Sequence, residues 1–331
     1  MSIRTKKEVV CAILPPHYSP LSERATAFAP VNFALAKYWG KRNEELFLPV
    51  TDSFSVAVDA GTTTTVSQAQ ERDIILLNGN EVGEDQPFHS RLSAFLDLFR
   101  PSPLFFFSIS TINTIPTAAG LASSASGFAA LVLALNSFFG WNCTLEQLSV
   151  LARLGSGSAS RSIYSGFVHW KKGEREDGMD SFAVPYKGWW EDLRFGIYMV
   201  SNEKKIIDSR TAMKRTVATS PLYSLWPENV KTTIDQIKEG LRLKDFSLFG
   251  SAVEQNALTM HATMFTSTPP ICYWHKDSLE TMKRIWKTRE EGVNLYFTMD
   301  AGPNLKFLFL KSSEKEVIRL FPELSCLSLI P

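Results

Sequence analysis

Residues 116–127, PTAAGLASSASG, hold two glycines, three serines and four alanines, and they run directly into the apolar sequence FAALVLALNSFF. Small residues let a ligand approach the main chain, and the start of a helix presents unpaired N–H groups and a partial positive charge. The stretch matches neither the GxxxxGK[ST] phosphate loop nor the GxGxxG dinucleotide motif. It predicts an anion cradle, with phosphate the obvious anion, or a close helix–strand turn, and alone it does not decide between the two.

The composition narrows the class of protein. The chain has 331 residues, 44% of them hydrophobic and 21% charged, which is typical of one large globular domain or two ordinary ones. Its formal net charge of +1 predicts neither nucleic acid nor an anionic membrane as a partner. The longest apolar stretch, 128–139, is too short to span a bilayer.

The N-terminus and the cysteines add further expectations. We expect residues 1–24 to be a short N-terminal extension rather than a signal peptide, because their apolar piece is brief and ends at two prolines. The four cysteines show no CxxC spacing, which is typical of free thiols in a reducing cytoplasm. No cysteine–histidine cluster suggests a metal site, and we predict none.

The order of the hydrophobic patterns favours an α+β fold over a doubly wound parallel sheet, because strands and helices are segregated. The aromatic stretch KGWWED predicts a boundary between two domains, 25–190 and 191–331. Periodicity predicts strands at 27–35, 54–60, 62–68, 73–78, 104–111, 166–170 and 195–201, a strand pair within 294–310, and helices at 128–139, 144–155, 209–218, 228–240 and 244–264.

Three further segments carry chemistry. The loop GSGSASRS at 155–162 repeats the small-residue pattern and adds Arg161, a bidentate partner for carboxylate or phosphate. AKYWGKR brings Lys37 and Lys41 close to Tyr38, although lysines are often only surface charge. Asp300 follows an apolar strand, and by itself such an aspartate is usually structural. We assign no catalytic role to the histidines.

Together these segments resemble the mevalonate diphosphate decarboxylases of the galactokinase, homoserine kinase, mevalonate kinase and phosphomevalonate kinase (GHMP) superfamily. The resemblance runs from about residue 25 to 310 and is carried by APVNFALAKYWGKR, PTAAGLASSASG, ARLGSGSASRS, EDGMDSFAV, DSRTAMKRTVATS and TMDAGPN. It implies two domains, an N-terminal half like domain 2 of ribosomal protein S5 and a ferredoxin-like C-terminal half, with the active-site cleft between them.

The resemblance also implies a reaction. These enzymes use ATP and Mg²⁺ to phosphorylate the 3-hydroxyl of mevalonate 5-diphosphate, and loss of that phosphate with CO2 gives isopentenyl diphosphate, the isoprenoid precursor made in the mevalonate pathway. We therefore expect a small-molecule substrate and a cytoplasmic enzyme. Homodimers are common in the family, so we also allow for a homodimer.

Site residues follow from the matching positions. Asp300 resembles the carboxylate that accepts the proton of the 3-hydroxyl or orients it, Lys37 resembles its lysine partner, and Arg161 the arginine that grips the substrate carboxylate. The positions that match the 5-diphosphate site are Tyr38, Lys41, Ser156, Ser158, Arg210 and Met213. The positions that match the ATP phosphate site are Gly120, Ala122, Ser123, Ser124 and Ser209.

The chain departs from the family after Leu48-Pro49, where Asp52 replaces an amide that can donate hydrogen bonds. Two enzymatic alternatives stay open: a decarboxylase of mevalonate 5-phosphate, and a small-molecule kinase that stops after phosphorylation. A non-catalytic binder would be expected to have lost Asp300, Lys37 or Arg161, and all three are present.

Overall fold

A computed structural model describes residues 5–114, 123–203 and 205–330, without the side chain of Ser123. The first part of the chain forms a mixed sheet with helices packed on one of its faces. Its elements are α1 (Lys6–Ile13), β1 (Arg24–Ala36), β2 (Lys41–Asn43), β3 (Leu48–Pro49), β4 (Ser53–Ala69), β5 (Ile74–Leu77), β6 (Asn80–Glu81), α2 (Pro87–Leu96), β7 (Phe106–Asn113), α3 (Ser123–Phe139), α4 (Leu145–Arg153), a 3-10 helix (Gly157–Ile163), β8 (Phe167–Trp170) and β9 (Ala183–Tyr186).

The second part of the chain forms a smaller antiparallel sheet and a helical layer. Its elements are β10 (Leu193–Tyr198), α5 (Ser209–Thr219), a 3-10 turn (Tyr223–Leu225), α6 (Trp226–Leu243), α7 (Phe246–Phe265), α8 (Lys276–Glu290), β11 (Leu295–Met299), β12 (Leu305–Leu310), a 3-10 turn (Lys311–Ser313), α9 (Glu314–Leu320) and β13 (Ser325–Leu327). The strand order is β11-β12-β10-β13. The change of sheet between β9 and β10 supports our proposed domains, 25–190 and 191–331.

Strand β4 organises the first sheet, whose order is β6-β5-β7-β4-β8-β9 with β1 also paired to β4. The sequence predicts two strands separated at Gly61, and this is wrong: β4 runs unbroken through the glycine. A Cβ on Gly61 would lie 2.3 Å from the Ala29 carbonyl oxygen, so the glycine permits a close approach to β1 rather than a turn.

The two halves share an apolar layer. Phe33 of β1 packs on Phe195 of β10 with ring centroids 6.2 Å apart, and Phe167 of β8 lies 6.5 Å from Phe249 of α7. All four rings are almost fully buried. This layer fixes the end of β1 beside the C-terminal half, and the candidate site lies there.

Within the described residues, no helix is both long and apolar enough to cross a membrane.

Candidate active site

A carboxylate held between two lysines lies at the centre of the site. Asp300 follows the last residue of β11, as the sequence predicts, and its side chain is 35% exposed. The Lys37 ammonium donates a 2.8 Å hydrogen bond to Oδ1 of Asp300, and the Lys306 ammonium of β12 donates to Oδ2. Among the described residues, each carboxylate oxygen therefore has one cationic partner, which leaves a lone pair for a further donor.

The lysine partner is fixed by its backbone as well as its side chain. Lys37 directly follows β1, and its N–H donates to Oδ1 of Asn256 on α7 over 2.8 Å. Its ammonium also donates to the Ala34 carbonyl over 2.8 Å, and the side chain is only 2% exposed. Burial lowers the pKa of Lys37 to about 8, because the attraction of Asp300 only partly offsets the loss of water.

The charge on Asp300 is strongly stabilised. Burial would raise the pKa of its carboxyl group, but Lys306 and Lys37 hold that pKa well below its usual range. His261 of α7 donates from Nε2 to the Asp300 backbone carbonyl over 3.1 Å. Burial and the nearby Lys37 charge lower the pKa of His261 to about 3, so this histidine is neutral and positions the Asp300 loop.

Arg161 is a buried arginine with neutral supports. It lies in the 3-10 helix Gly157–Ile163, where its Nε donates to Oδ1 of Asn32 over 3.1 Å and its Nη1 donates to Oγ of Ser53 over 2.7 Å. Burial lowers its pKa to about 10, an effect that Asp300 opposes. The group is still charged at neutral pH, and it is well placed to bind an anion.

The small-residue loop before Arg161 packs against an aromatic ring. A Cβ on Gly157 would lie 2.8 Å from the Tyr38 ring, so only glycine leaves room for that ring. The flanking Ser156 and Ser158 hydroxyls lie 3.4 Å apart. The loop therefore presents two hydroxyl groups beside Tyr38.

The predicted site residues come together to the extent that the structure describes them. One cleft of about 360 Å³ is lined by Lys37, Tyr38, Lys41, Ser124, Ser156, Ser158, Arg161, Ser209, Arg210, Met213 and Asp300. Ser123 is the first residue of α3, but its side chain is not described. The predictions for Gly120 and Ala122 lie outside the described residues.

A second, more apolar cavity adjoins the cleft. It has a volume of about 200 Å³ and lies between α2, β7 and the first turns of α3. Its lining includes Phe88, Leu92, Ile109 and Leu131, and Ser124 borders both this cavity and the cleft. The start of α3 thus separates an apolar pocket from a strongly charged one.

Two family models cover most of the chain. Residues 29–183 match the model described as the diphosphomevalonate decarboxylase-like N-terminal domain, and residues 196–328 match the mevalonate 5-diphosphate decarboxylase C-terminal domain. The chain belongs to the diphosphomevalonate decarboxylase family. This confirms the predicted family.

Individual diphosphomevalonate decarboxylases agree with this assignment. The relative from Candida albicans is 37% identical over 89% of this chain and 87% of its own length. The structure of the Staphylococcus aureus enzyme superposes with a TM-score of 0.88 at 36% identity, covering 93% of this chain and 96% of that one. The structure of MDDEF in complex with MVAPP, AMPPCP and magnesium superposes with a TM-score of 0.86 at 39% identity. The match covers 93% of this chain and 97% of that one. The predicted two-domain α+β fold is confirmed.

Sequence reasoning missed several polar residues of this decarboxylase site. Lys306 and His261 both contact Asp300, while Asn32 and Ser53 support Arg161. The one available signal was Lys306, a lone cation inside the apolar strand LKFLFL. The other three depend on contacts between distant segments.

The departure at Asp52 does not face the cleft. Its carboxylate accepts a hydrogen bond from the Lys172 N–H over 2.8 Å and lies 2.8 Å from Nε2 of His169 on β8. The neighbouring Ser53, rather than Asp52, contacts Arg161. The family amide is thus replaced by a carboxylate that joins β4 to the segment after β8.

Proposed function

We propose that this protein catalyses the ATP-dependent decarboxylation of mevalonate 5-diphosphate to isopentenyl diphosphate. The observation that carries the proposal is the grouping of Asp300, Lys37 and Arg161 in one cleft with the cations Lys41 and Arg210. Lys306 of β12 adds a second positive charge next to Asp300. Membership of the decarboxylase family supports it, as does the complex of MDDEF with MVAPP, AMPPCP and magnesium.

The reaction needs a good leaving group. Hydroxide leaves a tertiary carbon poorly, so the 3-hydroxyl is first phosphorylated. A hydroxyl group that donates to Asp300 would be aligned with the terminal phosphoryl group of ATP. Because its pKa is low, this carboxylate is a weak base, and we propose that it orients the hydroxyl and takes the proton late in the transfer.

Decarboxylation follows from the position of Arg161. An arginine that holds the substrate carboxylate fixes the C–C bond that must break, so that its electrons form the alkene as the 3-phosphate departs. The contacts of Arg161 with Asn32 and Ser53 hold the guanidinium in one orientation. An arginine in this role distinguishes a decarboxylase from a kinase that stops after phosphorylation.

The diphosphate end of the substrate would contact the other end of the cleft. Lys41 and Arg210 supply charge there, while Tyr38, Ser156 and Ser158 supply hydroxyl groups. Met213 adds an apolar contact beside them. Charge-assisted contacts of this kind favour the diphosphate over the monophosphate alternative.

The cavities also fit ATP and magnesium. The apolar cavity beside α3 suits a nucleoside, and Ser124 and Ser209 suit the phosphates at its junction with the cleft. The described residues contain no group of three or more metal-ligating acids, histidines or cysteines. Mg²⁺ is therefore expected to bind mainly through phosphate oxygens and water, as it commonly does with nucleotides, and it would neutralise phosphate charge.

A cytoplasmic location and a homodimer stay predictions. The location is supported by Cys11, Cys143, Cys272 and Cys326, all of which are free thiols.

The test is CO2 release from mevalonate 5-diphosphate with ATP and Mg²⁺, compared with mevalonate 5-phosphate at equal concentration. We expect CO2, ADP and phosphate in equal amounts and a strong preference for the diphosphate. Preferential turnover of the monophosphate would support the alternative decarboxylase. A stable 3-phosphorylated product without CO2 would support the kinase.

A further inference from the structure

The N-terminal extension contains a helix, α1, that packs against the N-terminal half of the protein. Thr5 and Glu8 form a capping box at the start of α1, and Val9 and Val10 are buried in the core of the N-terminal half. The family models begin at residue 29. Helix α1 is therefore an addition to the matched region, and it holds its first residue, Lys6, in a fixed place.

That place is beside the phosphate end of the cleft. The Lys6 ammonium lies 4.5 Å from the centroid of the Phe47 ring, Lys41 Nζ lies 4.7 Å away and Arg210 Cζ lies 5.2 Å away. Phe47 has a φ of 52°, an uncommon backbone conformation for a bulky residue, and its side chain is buried. One ring thus gathers Lys6 with two residues that we propose bind the substrate diphosphate.

A pocket of about 160 Å³ lies beside Lys6, Phe47 and Arg210. Its charged lining residues are Lys6, Arg91 and Arg210; the rest of the described lining is apolar or glycine, with no acid. Phe47 and Arg210 line both this pocket and the main cleft. This volume is well above the minimum that a single water molecule needs, and it is enough for a phosphate group.

The three cations lack a paired carboxylate. None of them forms an ion pair with a described residue, whereas Lys41 is paired with Glu44 over 2.5 Å. Burial lowers the pKa of the Lys6 ammonium. The exposed Glu45 raises that pKa, whereas the positive charges of Arg210 and Lys41 lower it further. Burial and Arg210 also lower the pKa of Arg91. A bound anion would offset the repulsion between these neighbouring positive charges.

We propose that Lys6 is a specificity residue, which with Arg91 and Arg210 binds the terminal phosphate of the substrate diphosphate. The inference rests on the proposed function for the name of that substrate. It adds to the family site a cation from outside the matched region. The pocket recognises a phosphate group. Arg91 also lines the apolar cavity that we assign to the nucleoside. We assign the phosphate to the substrate rather than to ATP because Lys6, Lys41 and Arg210 share the Phe47 ring.

The experiment compares wild type with Lys6→Gln and Lys6→Arg. Lys7→Gln is the matched control: it makes the same charge change on the same helix, and the exposed Lys7 ammonium donates to the Leu98 carbonyl at the surface. We expect Lys6→Gln to raise the KM for mevalonate 5-diphosphate about tenfold, the size expected for one lost contact to a charged group. Its kcat and its KM for ATP should stay within twofold of wild type. Lys6→Arg should restore the KM, and Lys7→Gln should not change it.

Two kinetic outcomes would overturn the inference. One is an unchanged KM for mevalonate 5-diphosphate in Lys6→Gln, and the other is a rise confined to the KM for ATP, which would assign the pocket to the nucleotide. Direct binding of inorganic pyrophosphate, measured by calorimetry, is independent of turnover. If wild type releases no CO2, the proposed function fails, and this measurement still tests the pocket. Weaker pyrophosphate binding in Lys6→Gln supports a phosphate site, and equal binding refutes it.

Discussion

Lys37 and Asp300 are 263 positions apart in the sequence, yet the Lys37 ammonium nitrogen lies 2.8 Å from a carboxylate oxygen of Asp300. Lys37 follows β1 of the first sheet and Asp300 follows β11 of the second. The pair therefore exists only when both halves of the chain are folded against one another. The active centre belongs to the junction rather than to either half.

Asp300→Asn tests the central carboxylate. The amide keeps the shape but cannot hold a proton from the 3-hydroxyl, and one of its ends would donate toward a lysine. We expect turnover to fall about 100-fold or more, with little change in ATP affinity. Steady-state CO2 release and nucleotide binding measure the two effects. Near-normal turnover would contradict the assigned role.

The pH profile tests Lys37. Its pKa is lowered from 10.5 to about 8, so the ammonium is present below pH 8 and is lost as the pH rises through that value. Asp300 then loses one of its two cationic partners, and we expect kcat/KM to fall above about pH 8. In the kcat profile the fall should move to higher pH, because bound anions stabilise the charged lysine. Lys37→Met should lower kcat/KM below pH 8 and abolish its fall above pH 8. An unchanged limb near pH 8 in that variant would show that another group titrates.

Arg161→Lys tests orientation separately from charge. Lysine keeps the positive charge but cannot contact Asn32 and Ser53 as the planar guanidinium does. We expect CO2 release to slow about 10- to 100-fold, as for the loss of hydrogen bonds to a charged group worth about 1.5–3 kcal/mol. ATP affinity should stay within twofold. If nucleotide affinity collapsed while CO2 release survived, Arg161 would belong to the nucleotide site.

Asp52→Asn tests the family departure. Asp52 contacts His169 and the Lys172 N–H outside the cleft, so we expect an unchanged KM and a loss of about 0.5–1.5 kcal/mol in unfolding free energy near neutral pH. Burial opposes the charge of Asp52, but His169 and Lys172 lower its pKa below the ordinary 3.8. The ionised Asp52 therefore contributes fully to the free energy of unfolding above about pH 4, and this contribution is lost as the pH falls through the pKa of Asp52 in the folded state. Urea unfolding at pH 7 and pH 3 should show the difference between variant and wild type shrinking at the lower pH. A constant difference would assign the loss to packing instead.

The parts predicted well were those encoded locally. Helices α5, α6 and α7 lie close to the predicted 209–218, 228–240 and 244–264 because their apolar spacing is regular. Asp300 drew attention because it follows a short apolar strand, but its catalytic role came from the family resemblance. Helix α1 was missed, since a brief apolar piece before two prolines favoured an extension, although its capping box was a usable signal.

The parts that could not be predicted depend on strand register and on packing between distant segments. Lys306 lies opposite Thr298 in the β11–β12 pair, and that register brings it to Asp300. His261 contacts Asp300 only because α7 packs on β11. Neither the Lys306–Asp300 contact nor the His261–Asp300 contact can be predicted from the local sequence pattern. The family resemblance supplied Lys37 and Arg161 but not the residues that hold them.

The apolar layer of Phe33, Phe195, Phe167 and Phe249 joins the two halves of the chain, and we expect it to make them unfold as one cooperative unit. A fragment that ended near residue 190 would expose these rings to water, so we expect neither half to fold alone and heat to melt both in a single transition. A hinge motion between the halves would also expose these rings to water, so it is energetically unfavourable. We therefore expect substrates to enter and leave by rearrangement at the rim of the cleft, with the Lys37–Asp300 pair kept together.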